Sequence, residues 1–185
     1  WLDVPLTPAG CMSSRKRLQQ WLDAQDLWED GEPRPRQVSP PLERHFADFV
    51  GQAGAASVLV PLCGRSFDLC WLSEQGLQVV GVESSRRVIA RFAAEQGLEL
   101  AVGDQSPEAP LTPWHAGACT VFEGDFFDAT PETLGGELDL AYDCGALSAV
   151  DPARRAEYAA VLLRLLGARG RALLVAPEFQ GGPEP

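Results

Sequence analysis

At 185 residues, 45% hydrophobic and 22% charged, the chain has the length and composition of one globular domain with a real core. A formal net charge of -11 argues against a surface built for polyanions, so a nucleic-acid partner is not expected. No apolar run approaches the roughly 20 residues needed to cross a bilayer, and the start lacks the charged and apolar regions of a signal peptide, so a cytoplasmic protein without membrane contact is expected.

The first 13 residues, with Pro5, Pro8 and Gly10, lack periodicity and read as a flexible lead-in to a single domain over residues 14–185. Leu18, Trp21, Leu22, Leu27 and Trp28 recur at near-helical spacing, which predicts a helix from Ser14 to Asp30 that stops at Gly31. Pro33, Pro35, Pro40 and Pro41 then hold an extended linker, and a short helix is expected from Leu42 to Phe49. The continuous apolar run Val58–Val60 reads as a buried parallel strand, stopped by the turn Pro61-Leu62-Cys63-Gly64 and followed by a helix from Phe67 to Gln75. A second apolar run, Leu77–Val82, ends on Glu83. Ser84 or Ser85 caps a helix through Gln96, with Val88, Ile89 and Phe92 on its buried face and Gly97 as its stop.

Residues 103–117, rich in Pro, Gly and polar groups, read as a surface excursion. Strands follow over Ala118–Glu123, Leu138–Tyr142 and Arg171–Ala176, with a helix from Pro152 to Leu166 before the last. Strands and helices that alternate in this way predict an α/β fold, a doubly wound, mainly parallel sheet with helices on both faces. In such folds the ligand lies outside the carboxyl ends of the strands, and an acid about 20 residues beyond a Gly-containing turn accepts hydrogen bonds from a ribose. Gly64 and Glu83 stand in that relation.

Five cysteines (Cys11, Cys63, Cys70, Cys119, Cys144) show neither zinc-site pairing nor the density of a disulfide scaffold, and read as reduced thiols. With His45 and His115 as the only histidines, a His-based metal centre or triad has little material, and no metal is expected. The chain opens on Trp1 and closes on Gln-Gly-Gly-Pro-Glu-Pro185, and it is read as incomplete at its C-terminal end.

The blocks Val58-Leu-Val-Pro-Leu-Cys-Gly-Arg-Ser66, Trp71-Leu-Ser-Glu-Gln-Gly76, Val79-Val-Gly-Val-Glu83 and Tyr142-Asp-Cys-Gly-Ala-Leu147 resemble the thiopurine S-methyltransferase family, in the family's order and over roughly Trp28 to Phe179. The resemblance implies a Rossmann-like class I fold, S-adenosyl-L-methionine as cofactor, a small-molecule thiol as methyl acceptor, and a monomer. Methyl transfer from a sulfonium to a thiolate is an in-line displacement that needs no metal and little acid-base work, so no catalytic side chain is assigned. By the resemblance Glu83 holds the ribose hydroxyls, while Leu62 and Gly64 meet the methionine end. The competing readings are a solvated strand-end acid for Glu83 and core packing for Leu62. Asp125 and Phe126 fall where the family puts an acid on the adenine amine and an apolar residue on the ring, though the acid can slip by one residue and the phenylalanines can be core. Trp28 matches an N-terminal lid whose ring attracts the sulfonium, against a Trp packed on the core.

Three departures stand out. Arg34-Pro35-Arg36 replaces the family's substrate-side aromatic pair, Cys144 replaces an arginine that contacts cofactor and substrate, and the chain stops where relatives continue. A thiol replaces neither the charge nor the donor fork of an arginine, so Arg34 or Arg36 is a candidate for the missing charge. The alternatives are a catalytically silent relative that keeps the cofactor site, and a nicotinamide or flavin oxidoreductase, the latter opposed by the missing Gly-x-Gly-x-x-Gly.

Overall fold

A computed structural model describes residues 36–51, 56–104 and 108–176, all within the unit spanning 33–185. The expected lead-in, the helix from Ser14 to Asp30, the lid Trp28 and Arg34 lie outside the described residues.

Seven strands form one sheet in the order β3-β4-β5-β2-β1-β6-β7. β1 (Ser57–Pro61), β2 (Gln78–Glu83), β5 (Cys119–Glu123), β6 (Leu138–Cys144) and β7 (Leu166–Val175) are parallel, whereas β3 (Leu100–Val102) and β4 (Thr112–Ala116) extend the sheet antiparallel beyond β5. Every residue of β1 is buried, as expected of a central parallel strand covered on both faces. Its alternation divides the core: Val58 and Val60 join one cluster and Leu59 the other.

The first cluster lies under α1 (Pro40–Val50), α2 (Asp68–Glu74) and α3 (Arg86–Gln96), which contribute Leu42, Phe49, Leu69, Leu72, Ile89 and Phe92. The second lies under α4 (Pro131–Leu134), α5 (Ala146–Ala149) and α6 (Arg155–Leu165), with Leu134, Tyr158, Val161 and Leu165 against Val80, Val82 and Phe122. α3 has the expected ends. The Ser85 hydroxyl accepts the Val88 amide at 3.4 Å, and Gly97 closes the helix in the left-handed region at φ 67°.

Three expectations change. β7 runs from Leu166, directly after α6, where a helix to Leu166 and a strand from Arg171 are expected. α1 begins at Pro40 rather than Leu42, because both prolines sit in the first turn, where a missing N–H is no loss and the fixed φ suits the helix. The stretch 103–117 is not all excursion: β4 pairs with β5 from Thr112↔Glu123 to Ala116↔Cys119, burying Trp114 and Ala116 on either side of exposed His115. Among the described residues no helix is long and apolar enough to cross a membrane.

Candidate functional site

The carboxyl ends of β1, β2, β5 and β6 bring together the Leu62–Gly64 turn, Glu83, Asp125 and Cys144. The centre of this rim is Glu83. One carboxylate oxygen accepts the Gly64 amide at 3.1 Å, and the other accepts the Ser85 amide at 3.0 Å and, more weakly, the Ser84 hydroxyl at 3.4 Å. Its carbonyl accepts the Gly124 amide at 3.0 Å, so one residue ties the turns after β1, β2 and β5. Burial pushes the Glu83 carboxyl above its ordinary value, and the amides of Ser85 and Gly64 and the Ser84 hydroxyl offset part of that rise. A carboxylate offers about four lone-pair sites, and two backbone amides occupy one on each oxygen. The remaining site on each oxygen suits a pair of vicinal hydroxyls, with Ser84 as the displaceable donor.

The turn before it is strained. Leu62 has φ 45°, in the left-handed region, and is 38% exposed, while Gly64 has φ 56°. Between them Cys63 points inward, and its amide donates to the Val82 carbonyl at 3.0 Å. A Cβ placed on Gly81 would stand 2.8 Å from the Cys63 sulfur, so the glycine of Val79-Val-Gly-Val-Glu83 is the space into which the Pro-Leu-Cys-Gly turn packs. Arg65 also turns inward, to an ion pair with Glu95 on α3 that Arg91 joins at 3.1 Å.

After β5, Asp125 is exposed and its side chain accepts the Phe127 amide at 3.0 Å, capping a short 3-10 turn. Glu123, the neighbouring acid, accepts the Trp114 indole N–H at 2.8 Å, which leaves Asp125 as the outward acid of the pair. Phe126 is 3% exposed and packs on Tyr158 with ring centroids 4.9 Å apart, while Phe127 lies outside it under the Arg154 guanidinium. Cys144 ends β6 as an exposed free thiol. Arg36 is not beside it: its guanidinium donates to the Gln96 side chain at 3.0 Å and to the Gln96 carbonyl, at the C-terminal end of α3.

Sequence reasoning passed over two buried carboxylates at this rim. Asp68, in the first turn of α2, accepts the Ser39 amide and the Tyr142 hydroxyl, both at 2.8 Å. Asp143 accepts the Tyr158 hydroxyl at 2.7 Å and the Leu147 amide at 3.2 Å. A groove of about 590 Å³ lies elsewhere, on the second face, where Val80, Leu111, Phe122 and Leu134 floor it and His115 and Glu132 rim it. It contains none of the strand-end residues, and the hydrogen bonds around Glu83 mark the strand ends as the built site.

The sequence pattern of the family described as Thiopurine S-methyltransferase matches residues 16–181. A Thiopurine S-methyltransferase of Pseudomonas paraeruginosa is 40% identical over 146 residues, covering 79% of this chain and 65% of the relative. One of Pseudomonas putida is 37% identical over 165 residues, covering 86% and 74%. The chain thus spans just under two thirds of the length of the first of these and about three quarters of the second. Among solved structures, a SAM dependent methyltransferase from Archaeoglobus fulgidus superposes with a TM-score of 0.56 at 20% identity, over 83% of this chain and 58% of that one. A TehB-like SAM-dependent methyltransferase from Corynebacterium glutamicum gives 0.51 at 20% identity, over 85% and 69%. The glycopeptide N-methyltransferase MtfA, complexed with S-adenosyl-L-methionine, gives 0.53 at 21% identity, over 74% and 54%. These likenesses show the fold.

Proposed function

The chain belongs to the thiopurine S-methyltransferase family, and we propose that it binds S-adenosylmethionine at the carboxyl ends of β1, β2 and β5 and transfers the methyl group to a small-molecule thiol. The observation that carries this reading is the Glu83 carboxylate, held by the Gly64 and Ser85 amides, with one acceptor site open on the oxygen facing Gly64 and the second site of the other oxygen taken only by the long Ser84 contact. When bound, the cofactor supplies an electrophilic methyl carbon on a sulfonium. Glu83 takes the two ribose hydroxyls in place of Ser84. The Leu62–Gly64 turn presents its backbone to the methionine end, and the exposed Leu62 side chain keeps water off it. Asp125 accepts from the adenine amine, and Phe126 supports the 3-10 turn from beneath. Trp28, outside the described residues, stays the aromatic that the resemblance assigns to the sulfonium. No proton relay is required of the chain, because an acidic thiol arrives ionised and the protein's work is to align and desolvate the two reactants.

The four described cysteines are free thiols, which supports a reducing, cytoplasmic setting. The net charge of -11 supports a small acceptor rather than nucleic acid. Isothermal titration with S-adenosylhomocysteine tests the cofactor half. Saturable heat is expected, and the absence of both heat and a thermal shift at millimolar ligand sinks the proposal. A second reading, a silent relative that keeps the cofactor site, is favoured by the exposed Cys144 where the resemblance puts an arginine. Turnover of a thiopurine by the unaltered chain eliminates it.

A further inference from the structure

The end of β6 is held in a way that the cofactor reading does not use. β1 pairs with β6 only at Val58↔Leu140 and Leu59↔Ala141, so Tyr142, Asp143 and Cys144 run on beyond the β1 ladder and are paired on one side alone, to Leu173, Leu174 and Val175 of β7. Backbone register therefore does not fix this end of the strand on the side of the cofactor turn. Side chains do. Tyr142 and Asp143 are successive and leave opposite faces of the sheet. On the first face Tyr142, fully buried, donates its hydroxyl to Asp68, whose other oxygen holds the Ser39 amide. On the second face Asp143, 1% exposed, receives the Tyr158 hydroxyl from α6 and the Leu147 amide from α5.

These contacts join parts that a methyl transfer must keep in register. Asp68 stands four residues beyond Gly64, at the start of the helix that follows the cofactor turn. Ser39 is the N-cap of α1, through which the N-terminal segment enters. Cys144 is one residue beyond Asp143. Buried carboxylates are a poor choice if only stability were needed, because apolar residues of similar volume serve as well or better. What they add is directional constraint from both faces.

We propose that Asp68 and Asp143 are positioning residues: Asp68 ties the entry to α1 and the cofactor turn to β6 through Tyr142, Asp143 pins the same strand end through Tyr158, and together they hold Cys144 at the acceptor side. The inference rests on the cofactor reading for its meaning, though not for its geometry. Burial raises both tyrosine hydroxyls above their ordinary range, so each remains a protonated donor throughout the working pH range.

The test uses Tyr142→Phe and Tyr158→Phe, which each remove one hydroxyl, beside Val161→Ala, an apolar core control one turn beyond Tyr158 on α6. Three quantities are measured: melting temperature, affinity for S-adenosylhomocysteine, and the rate at which iodoacetamide alkylates Cys144, mapped by mass spectrometry. Losing one hydrogen bond to a buried carboxylate is expected to weaken ligand binding about three- to tenfold. The Tyr variants are also expected to shift the Cys144 alkylation rate by about threefold or more in the ligand-free protein, while the Val161 control lowers only the melting temperature. Tyr variants that match the control in ligand affinity and alkylation rate at equal loss of melting temperature overturn the proposal. Should the unaltered chain fail to bind S-adenosylhomocysteine, the cofactor reading falls, and the ligand-free alkylation rates still decide the clamp.

Discussion

Replacing Glu83 by glutamine tests the site most directly, because shape is kept while charge and one acceptor are lost. In the free protein the two carboxylate oxygens face the Gly64 amide at 3.1 Å and the Ser85 amide at 3.0 Å. However the carboxamide turns, its NH₂ meets one of those N–H groups, at a cost of about 1–3 kcal/mol. Against that stands the relief of a buried charge, since burial raises the folded-state value of Glu83 above its ordinary 4.5. Ionising Glu83 thus costs the free protein stability: the contribution of this group is whole below 4.5 and is lost as pH rises through the raised folded value. The two changes oppose, so the melting temperature at neutral pH moves little. Cofactor binding does not share this compensation. Each ribose hydroxyl bonded to a charged acceptor contributes about 1.5–3 kcal/mol, and glutamine keeps one such bond at neutral strength, so about 2–4 kcal/mol is lost, a weakening of about 30- to 1000-fold. Hydroxyl donors favour the carboxylate, so affinity of the native protein rises with pH up to the raised free-state value of Glu83, with release of a proton below it, then levels off, and Glu83→Gln lacks that rise. Titration calorimetry with S-adenosylhomocysteine in two buffers of different ionisation enthalpy reads both effects. A glutamine variant that binds within about threefold of the native chain and keeps the same pH dependence refutes the role given to Glu83.

Two further substitutions probe the neighbours of that acid. Gly81→Ala brings a Cβ to 2.8 Å from the Cys63 sulfur and 3.3 Å from Leu69; it is expected to destabilise by about 1–3 kcal/mol in urea unfolding, and Cys63→Ala in the same chain is expected to restore part of it. Cys144→Arg returns a guanidinium to the exposed end of β6; a gained charge-assisted contact of about 1.5–3 kcal/mol predicts a rise in kcat/KM for a thiopurine of about 10- to 100-fold, and an unchanged value refutes the idea that the missing arginine limits activity.

How much of this was legible in the sequence depends on whether the signal was local. The run Val58–Val60, the turn and Glu83 were readable because a central parallel strand is apolar throughout and the acid follows the glycine at a diagnostic distance. α3 was readable to within a residue because Ser85 and Gly97 announce both ends. β4 was hidden by Pro113, which argues against a strand until one sees that its carbonyl still accepts the Gly103 amide at 2.8 Å. Pro40 and Pro41 hid the start of α1 for the opposite reason, as residues read as linker open the helix. Which of Phe126 and Phe127 is core is undecidable from two adjacent aromatics, and the 3-10 turn decides it by turning Phe126 onto Tyr158. Asp68 and Tyr142 lie 74 residues apart, so no window of sequence contains their bond.

The unusual wording of the cofactor turn has a physical reading that single motifs miss. Most of the strain is at Leu62, since φ 45° costs a non-glycine residue about 1–2 kcal/mol that a glycine there would avoid. The family-like sequence tolerates it because the next residue is locked: the Cys63 amide is held by Val82, and its side chain is buried in the gap left by Gly81. Gly64 stays in the loop, and a second glycine, Gly81, makes room for the turn from the neighbouring strand. Val79-Val-Gly-Val-Glu83 and Pro61-Leu-Cys-Gly64 are therefore one packing unit, joined at its top by the Glu83–Gly64 hydrogen bond. In return Leu62 carries a large apolar side chain at the rim, 38% exposed, which on the proposed reading shields the methionine end of the cofactor from water. On the proposed reading the strain is thus located where the site needs desolvation, and the buried sulfur beside it is structural rather than reactive, its thiol pushed up by burial and by the Glu83 charge.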